Sequence, residues 1–382
     1  METVTAPLSL PATTRGLRVL LVDLARGFGG VETRVCSQAV ALQGRVDHCA
    51  VAVMSESPVH QRLRAAGVNC ELISASRADP RTLVELWRVI RHGGYDIVDA
   101  HNIQSLFWGH LAALFGGAPG RVTTLHTNYA EEYTGIRHVA YRTVARVMRG
   151  VTSQYVQCTA ILQQQAQSAG YGARSTIISN AVPVPDHPLA EKDHSVAAEW
   201  GWAGDDFVVA AVGRLFPVKG QSYLVDAMAQ LADRPHVRLL LVGDGPDRAD
   251  LERSVAAQRL ENQVRFAGFR QDVSRILRGV DCVCLPSLWE NLPYAALEAA
   301  AYARPVIATA VGGVPDVFRD GETALLVPPR DAGALAAAMR RLADAPPEAR
   351  RLGRGAYQMM RTSFSTEELL RKTLDVYQRA LA

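Results

Sequence analysis

The sequence predicts an α/β protein made of two doubly wound, parallel-sheet, Rossmann-like domains facing a cleft. Three observations predict it. Short apolar runs alternate with helix-patterned stretches along nearly the whole chain, which is how βαβ units and parallel sheets read. At 382 residues the chain is too long for one ordinary core and suits two. The alternation breaks once, at residues 180–190 (NAVPVPDHPLA), where Pro183, Pro185 and Pro188 argue against helix or central strand. The expected domains are therefore residues 1–182 and 191–365, with a C-terminal helix 366–382 packing back on the first and a Pro-rich hinge between them.

Composition narrows the class. The chain is 48% hydrophobic and 21% charged, with a net charge of +3 that is too small to argue for nucleic acid. Six cysteines show no CxxC pair or metal spacing and several lie in apolar runs, so the reading is free thiols in a reducing cytosol. The first 15 residues have no basic and apolar signal pattern, and no apolar run is long enough to span a bilayer. A cytoplasmic protein is expected.

Taken in order, the first strand is Leu17 to Leu24, followed by Gly27-Phe28-Gly29-Gly30 and a helix from Val31-Glu32 to about Gln43. A strand, a glycine turn and a helix allow backbone N–H groups to approach a phosphate. The spacing is not the GxGxxG of dinucleotide binding, although Glu56 follows the second strand, Cys49 to Met54. Further units are Asn69–Ile73 then Arg81–Arg91, Ile97–Ala100 then Gln104–Phe115, and Arg121–His126 then a helix to about Arg149. Strands at Val151–Gln157 and Ser175–Ile178 close the half.

The second alternation begins with Phe207–Val212 and a helix from Gly220. Strands Val237–Val242 and Val264–Ala267 follow, and both run into glycine turns. The stretch Leu285 to Glu298 (LPSLWENLPYAALE) leaves a buried apolar strand, places Glu290 on a loop and Glu298 on the second turn of the next helix, which Pro293 opens. Pro305–Ala308, Ala324–Val327 and helices at Ala332–Ala343 and Thr366–Leu381 complete the chain.

Several residues carry chemistry. Arg214 and Lys219 flank a turn beside a helix start, where a planar fork and a point charge suit a diphosphate. His101, Asn102 and His126 end neighbouring strands and are expected to line the cleft, with Glu32 and Asn128 as further acceptor-side candidates. Arg137, His138, Arg142, Arg146 and Arg149 share much of one helix face across 137–149, which suits either solvent or an anionic membrane surface.

As a set, these motifs resemble glycosyltransferase family 4, whose members are retaining enzymes of the GT-B fold. The resemblance rests on Gly213-Arg214-Leu215 with Lys219-Gly220, on Glu290 with Glu298 eight positions later, and on Gly29-Gly30-Val31-Glu32, His126 and Gly312-Gly313-Val314-Pro315-Asp316. It covers about residues 17 to 380. By that resemblance Arg214 and Lys219 bind the donor diphosphate and the Gly29 and Gly30 amides close over it. Glu290, with Asn291 and Leu292, meets the transferred sugar, and Glu298 the ribose. The Gly268-Phe269-Arg270 turn lies by the base, and His126 lies near the reacting carbon. The family usually has glycine after the first glutamate, where this chain has Asn291.

The resemblance implies metal-independent transfer of a hexose or N-acetylhexosamine from a nucleotide diphosphate sugar, UDP ahead of GDP, with no cofactor. The acceptor would be a hydroxyl of a carbohydrate, a lipid-linked glycan or a small molecule. The competing readings are a sugar-nucleotide epimerase or phosphorylase of the same fold, or a non-catalytic nucleotide-sugar-binding protein.

Overall fold

The structure is a computed structural model that describes residues 16–76, 79–126, 135–188 and 192–382. The chain divides into two compact units, Met1–Ala181 with Thr366–Ala382, and Val182–Ser365.

The first unit is built on β1 (Arg18–Asp23), β2 (His48–Met54), β3 (Asn69–Ile73), β4 (Ile97–Ala100), β5 (Gly120–Leu125), β6 (Gln154–Gln157) and β7 (Ser175–Ile177). All pair in parallel, in the order β3-β2-β1-β4-β5-β6-β7. The chain starts mid-sheet, builds one side and returns to build the other, so the connections reverse direction between β1 and β4. Beyond the carboxyl ends of such a pair the backbone leaves room for a ligand. Along β1 the side chains alternate: Val19 and Leu21 enter one apolar layer, Leu20 and Val22 the other. Both faces are covered, as a parallel sheet requires.

The last helix, Thr366–Leu381, belongs to this unit. Its Leu369, Leu370, Leu374, Val376 and Tyr377 share the apolar layer of Val19 and Leu21. Its Tyr377 hydroxyl donates to Asp99 Oδ2 on β4 at 2.9 Å, beside Gln38 Nε2 at 2.8 Å, and Thr124 donates to Asp99 Oδ1 at 3.0 Å. Asp99 is fully buried, and without such donors its polar group would cost several kcal/mol, on the order of 2–7.

The second unit is built on β8 (Phe207–Val212), β9 (Val237–Val242), β10 (Val264–Gly268), β11 (Cys282–Leu285), β12 (Val306–Thr309) and β13 (Leu325–Val327). These also run parallel, in the order β10-β9-β8-β11-β12-β13, so the reversal falls between β8 and β11. Val208 and Ala210 enter one core layer and Val209 and Ala211 the other.

Several expectations change. The Pro-rich stretch is not a free linker as far as Pro185: Val182 is buried in the core of the second unit, and the Pro185 carbonyl accepts the Tyr357 hydroxyl at 2.6 Å. The strand expected from Val151 starts at Gln154, because the Val151 and Thr152 amides close the preceding helix on the Met148 carbonyl. The sequence reading also passed over helices Pro58–Ala65, Ala160–Ser168 and Pro346–Ser363. Pro346–Ser363 contains Gly353 and Gly355, which lower helix propensity. Gly353 is required by close packing instead, since a Cβ there would fall 2.1 Å from the Ala303 carbonyl oxygen.

Candidate functional site

In the second unit the loops after β8, β11 and β12 are tied into one surface. After β8 come Gly213, the exposed Arg214, a short turn at Pro217–Lys219, and Gly220 as the cap of helix Gln221–Ala229. The Leu288 amide donates to the Val218 carbonyl at 2.8 Å, which fastens the β11 loop to the β8 loop. The Gly313 amide donates to the Glu290 carbonyl at 3.1 Å, which fastens the β12 loop to the same place. Gly312 has φ +54°, and a Cβ there would fall 1.7 Å from the Glu290 carbonyl oxygen, so only glycine permits the approach.

Those ties hold Glu290 against Lys219. Lys219 Nζ donates to Glu290 Oε1 at 2.6 Å, and Ser287 Oγ donates to the same oxygen at 2.8 Å. The Glu290 side chain is 9% exposed and that of Lys219 24%, so the pair is largely withdrawn from water. Thr309 Oγ1 donates to the Ser287 carbonyl at 2.5 Å and thereby supports the turn from β12. A half-buried cation, a carboxylate and two nearby helix starts can hold an anionic ligand that also carries hydroxyls.

The remaining donor-side residues are placed as follows. Arg214 is exposed, with its guanidinium 4.8 Å from the Phe216 ring centroid. Glu298 and Asn291 are half-buried, whereas Leu292 is a core residue at 6% exposure, so its side chain is packing. Gly268 ends β10 with φ +64°, and Phe269 after it is 74% exposed. Arg270 does not offer a free guanidinium: Asp272 takes its Nε and Nη2 at 2.7 Å each, and Glu199 takes Nη1 at 2.5 Å.

In the first unit the expected residues gather around the ends of β1, β4 and β5. Gly29 caps helix Gly30–Leu42, with Glu32 in its first turn. Asn102 caps helix Ile103–Gly116, accepting from the Ser105 amide at 2.8 Å, and its Nδ2 donates to Asp23 Oδ1 at 2.7 Å. His101 is not on the surface: it is fully buried, and its Nδ1 lies 3.2 Å from His126 Nε2. His126 is itself 6% exposed, with Nδ1 3.6 Å from Cys158 Sγ. Both histidine rings therefore serve contacts inside this unit. Burial holds His101 down at about 3 and His126 well below the usual histidine value, so both are neutral at physiological pH. Asn128 lies outside the described residues.

Sequence reasoning missed Asp23. It is fully buried at the end of β1, with Oδ1 held by Asn102 and the Ala25 amide and Oδ2 without a hydrogen-bond partner. Burial, with the Glu32 carboxylate second, pushes it up to about 7. A single carboxylate closing an apolar strand is the signal that could have found it. Ser287, whose hydroxyl bonds Glu290 Oε1, was missed as well. Among the described residues no three His, Cys, Asp or Glu side chains are grouped to hold a metal ion.

Of the basic helix, the structure gives Gly135–Met148. Val139 and Val147 stand 61% and 62% exposed on it beside Arg142 and Arg146, and the Arg137 side chain is outside the description. Arg149, just beyond it, turns back: its Nη1 donates to the Ala169 carbonyl at 2.7 Å. Among the described residues no helix is long and apolar enough to cross a membrane.

Comparison with known proteins matches this architecture. Residues 28–184 fit the family model described as Glycosyltransferase Family 4, and residues 194–359 the model described as Glycosyl transferases group 1. A 2-deoxystreptamine glucosyltransferase of Streptomyces kanamyceticus is 27% identical over 78% of this chain and 81% of its own length. The lipopolysaccharide core biosynthesis glycosyltransferase LpsD of Rhizobium meliloti is 30% identical over 64% of this chain and 67% of its own. Anabaena HepE, solved in complex with UDP, superposes with a TM-score of 0.84 at 22% identity, covering 95% of this chain and all of that one. HepE has also been solved with UDP-glucose. The two parallel-sheet units thus form a GT-B fold, and the chain belongs to glycosyltransferase family 4 and is a glycosyltransferase.

Proposed function

We propose that the chain is a retaining, metal-independent enzyme. It transfers a hexose or N-acetylhexosamine from a nucleotide diphosphate sugar, UDP ahead of GDP, to a hydroxyl acceptor in glycan, glycolipid or natural-product biosynthesis. The observation that carries the reading is the Lys219–Glu290 pair at the reversal between β8 and β11. Lys219 and Arg214 take the diphosphate. Glu290 accepts from a sugar hydroxyl through Oε2, because Lys219 and Ser287 both bond Oε1. Glu298 takes the ribose. Since Asp272 and Glu199 occupy Arg270, the base is held by the backbone of the Gly268–Arg270 turn. Gly29, Gly30 and His126 keep the roles that the family implies. HepE, with its UDP and UDP-glucose, supports uridine as the base.

In the reaction the bond from the anomeric carbon to the diphosphate oxygen breaks. The acceptor oxygen bonds the same face of that carbon, and its proton passes to the departing diphosphate. Arg214 and Lys219 stabilise the charge that develops on the leaving group, an electrostatic contribution that needs no divalent ion. The exposed Val139 and Val147 beside Arg142 and Arg146 support peripheral contact with an anionic membrane surface. Vesicle co-sedimentation tests that contact.

The test of the reaction is incubation with UDP-glucose or UDP-N-acetylglucosamine and candidate acceptors in excess chelator, with the product anomer read by NMR. An α-linked product formed at an undiminished rate supports the proposal. A β-linked product, or loss of turnover that added magnesium restores, would refute it. Acceptor-independent or phosphate-dependent turnover would favour an epimerase or phosphorylase.

A further inference from the structure

Four buried side chains of the first unit stand in a row: Asp99, His101, His126 and Cys158. Asp99 is on β4, and His101, His126 and Cys158 are each the first residue beyond β4, β5 and β6. Those strands are neighbours in the sheet, about 4.8 Å apart, so residues at their ends can bond sideways. Asp99 Oδ2 faces His101 Nε2 at 3.7 Å, and His101 Nδ1 lies 3.2 Å from His126 Nε2. On the other edge of the second ring, His126 Nδ1 lies 3.6 Å from Cys158 Sγ.

The row has one polarity. Asp99 accepts from the Gln38 amide and the Tyr377 hydroxyl on Oδ2 and from Thr124 on Oδ1, so both of its oxygens are acceptors. The His101 nitrogen that faces it, Nε2, must therefore carry the proton; a bare nitrogen there would set two acceptors against each other. That ring is neutral, since burial holds it at about 3, and its Nδ1 is left to accept from His126 Nε2–H. His126 is neutral for the same reason, so its bare Nδ1 accepts from the Cys158 thiol. Burial pushes that thiol up to about 11, so it keeps the proton it donates. The His126 ring is held from both edges and cannot turn without breaking both contacts.

We infer that His101 and Cys158 are positioning residues for the transfer: they fix the His126 ring in its Nε2–H tautomer, with both ring nitrogens committed. His126 then acts through its place beside the sugar and not as an acid or base. The acceptor's proton is left to the departing diphosphate. The inference rests on the glycosyltransferase reading, in which His126 lies near the reacting carbon, and adds the residues that hold it there.

The experiment joins a tautomer measurement to turnover, both on the full chain. Nitrogen-15-labelled histidine, assigned by the signals lost in His101→Asn and His126→Gln, reports which ring nitrogen carries the proton. Both rings should be Nε2–H in wild type. An Nδ1–H ring at either position, or a His126 signal averaged between tautomers, would overturn the inference without any substrate present. Turnover is read as UDP release from UDP-glucose with water as acceptor, beside calorimetric UDP binding. Cys158→Ala should lower kcat about tenfold, the loss of one hydrogen bond, and leave KM and UDP affinity within about threefold. Cys158→Ser keeps a donor to Nδ1 and should recover most of that loss. His101→Asn keeps an acceptor in the place of Nδ1 and should retain turnover that His101→Leu loses. Equal turnover in Cys158→Ala and Cys158→Ser, or losses that follow melting temperature and not the hydrogen-bonding group, would assign these residues to packing alone and overturn the inference. Wild type that neither binds UDP nor releases it from UDP-glucose would count against the donor reading instead, and the tautomers would still decide the chain.

Discussion

Lys219 and Glu290, 71 positions apart in the chain, meet at 2.6 Å across the reversal of the second sheet. Each is the other's partner in the structure, yet the proposed roles send them to different parts of one donor: Lys219 to the diphosphate, Glu290 to the sugar. Their substitutions should therefore separate in kinetics. Lys219→Ala should weaken nucleoside diphosphate binding roughly ten- to a hundredfold, one lost charge-assisted contact. Glu290→Gln should lower turnover at least tenfold, by our estimate from the loss of one hydroxyl contact, and change nucleotide affinity by less than about threefold. Ser287 remains beside position 290 in both variants. Parallel losses of affinity and turnover would show that the two residues do not divide the donor.

Gly312 positions Glu290 by backbone contact, so its substitution tests the loop rather than the side chain. Gly312→Ala must either move the Glu290 carbonyl or strain φ +54°, and should lower both the melting temperature and turnover. Gly321→Ala provides the comparison. It has φ +70° with nothing within 4 Å of a new Cβ, so it should cost only about 1–2 kcal/mol and spare turnover. Equal effects of the two would mean that the approach to Glu290 has no bearing on activity.

Asp23 makes stability depend on pH in an unusual sense. An unfolded aspartate ionises near 3.9, whereas the folded one is pushed up to about 7. Between these values the unfolded chain releases a proton that the native chain keeps. The contribution of Asp23 to stability is thus fully present below about pH 4 and is lost as pH rises through about 7. The stability of wild type relative to Asp23→Asn should fall across that window, with a slope approaching about 1.4 kcal/mol per pH unit. Urea denaturation at several pH values measures it, and a flat difference would contradict the assignment.

The cysteines offer a quick check on packing. All six are free; Cys70 is half-buried and the other five are buried. Burial also pushes the Cys49 thiol up to about 12 and the Cys158 thiol up to about 11. A thiol reagent at neutral pH should modify Cys70 first and the others only after unfolding. Fast modification of several thiols in the native protein would show that the cores are looser than described.

Much of this architecture was legible in the residues. Largely apolar runs such as Phe207–Val212 and Val237–Val242 coincide with β8 and β9, because a strand covered on both faces is apolar along most of its length. Lys219 and Glu290 share one donor site in the sequence only through the family resemblance, and their contact comes from the adjacency of β8 and β11. What escaped depends on three-dimensional neighbours. Helix Pro346–Ser363 is hidden by Gly353 and Gly355, whose reasons are the Ala303 and Glu322 carbonyls. His101 reads as a strand-end residue open to ligand, but packing turns it inward against His126. The sequence places Arg270 in a turn but does not show that Glu199, 71 residues earlier, closes on its guanidinium.

The most direct test of the donor site is calorimetric titration of UDP, GDP and ADP into wild type and Lys219→Ala, with chelator present. The account predicts metal-free binding of UDP in preference to the other two, weakened at least tenfold by the substitution. Binding that requires a divalent ion, or UDP affinity that Lys219→Ala leaves intact, would contradict it.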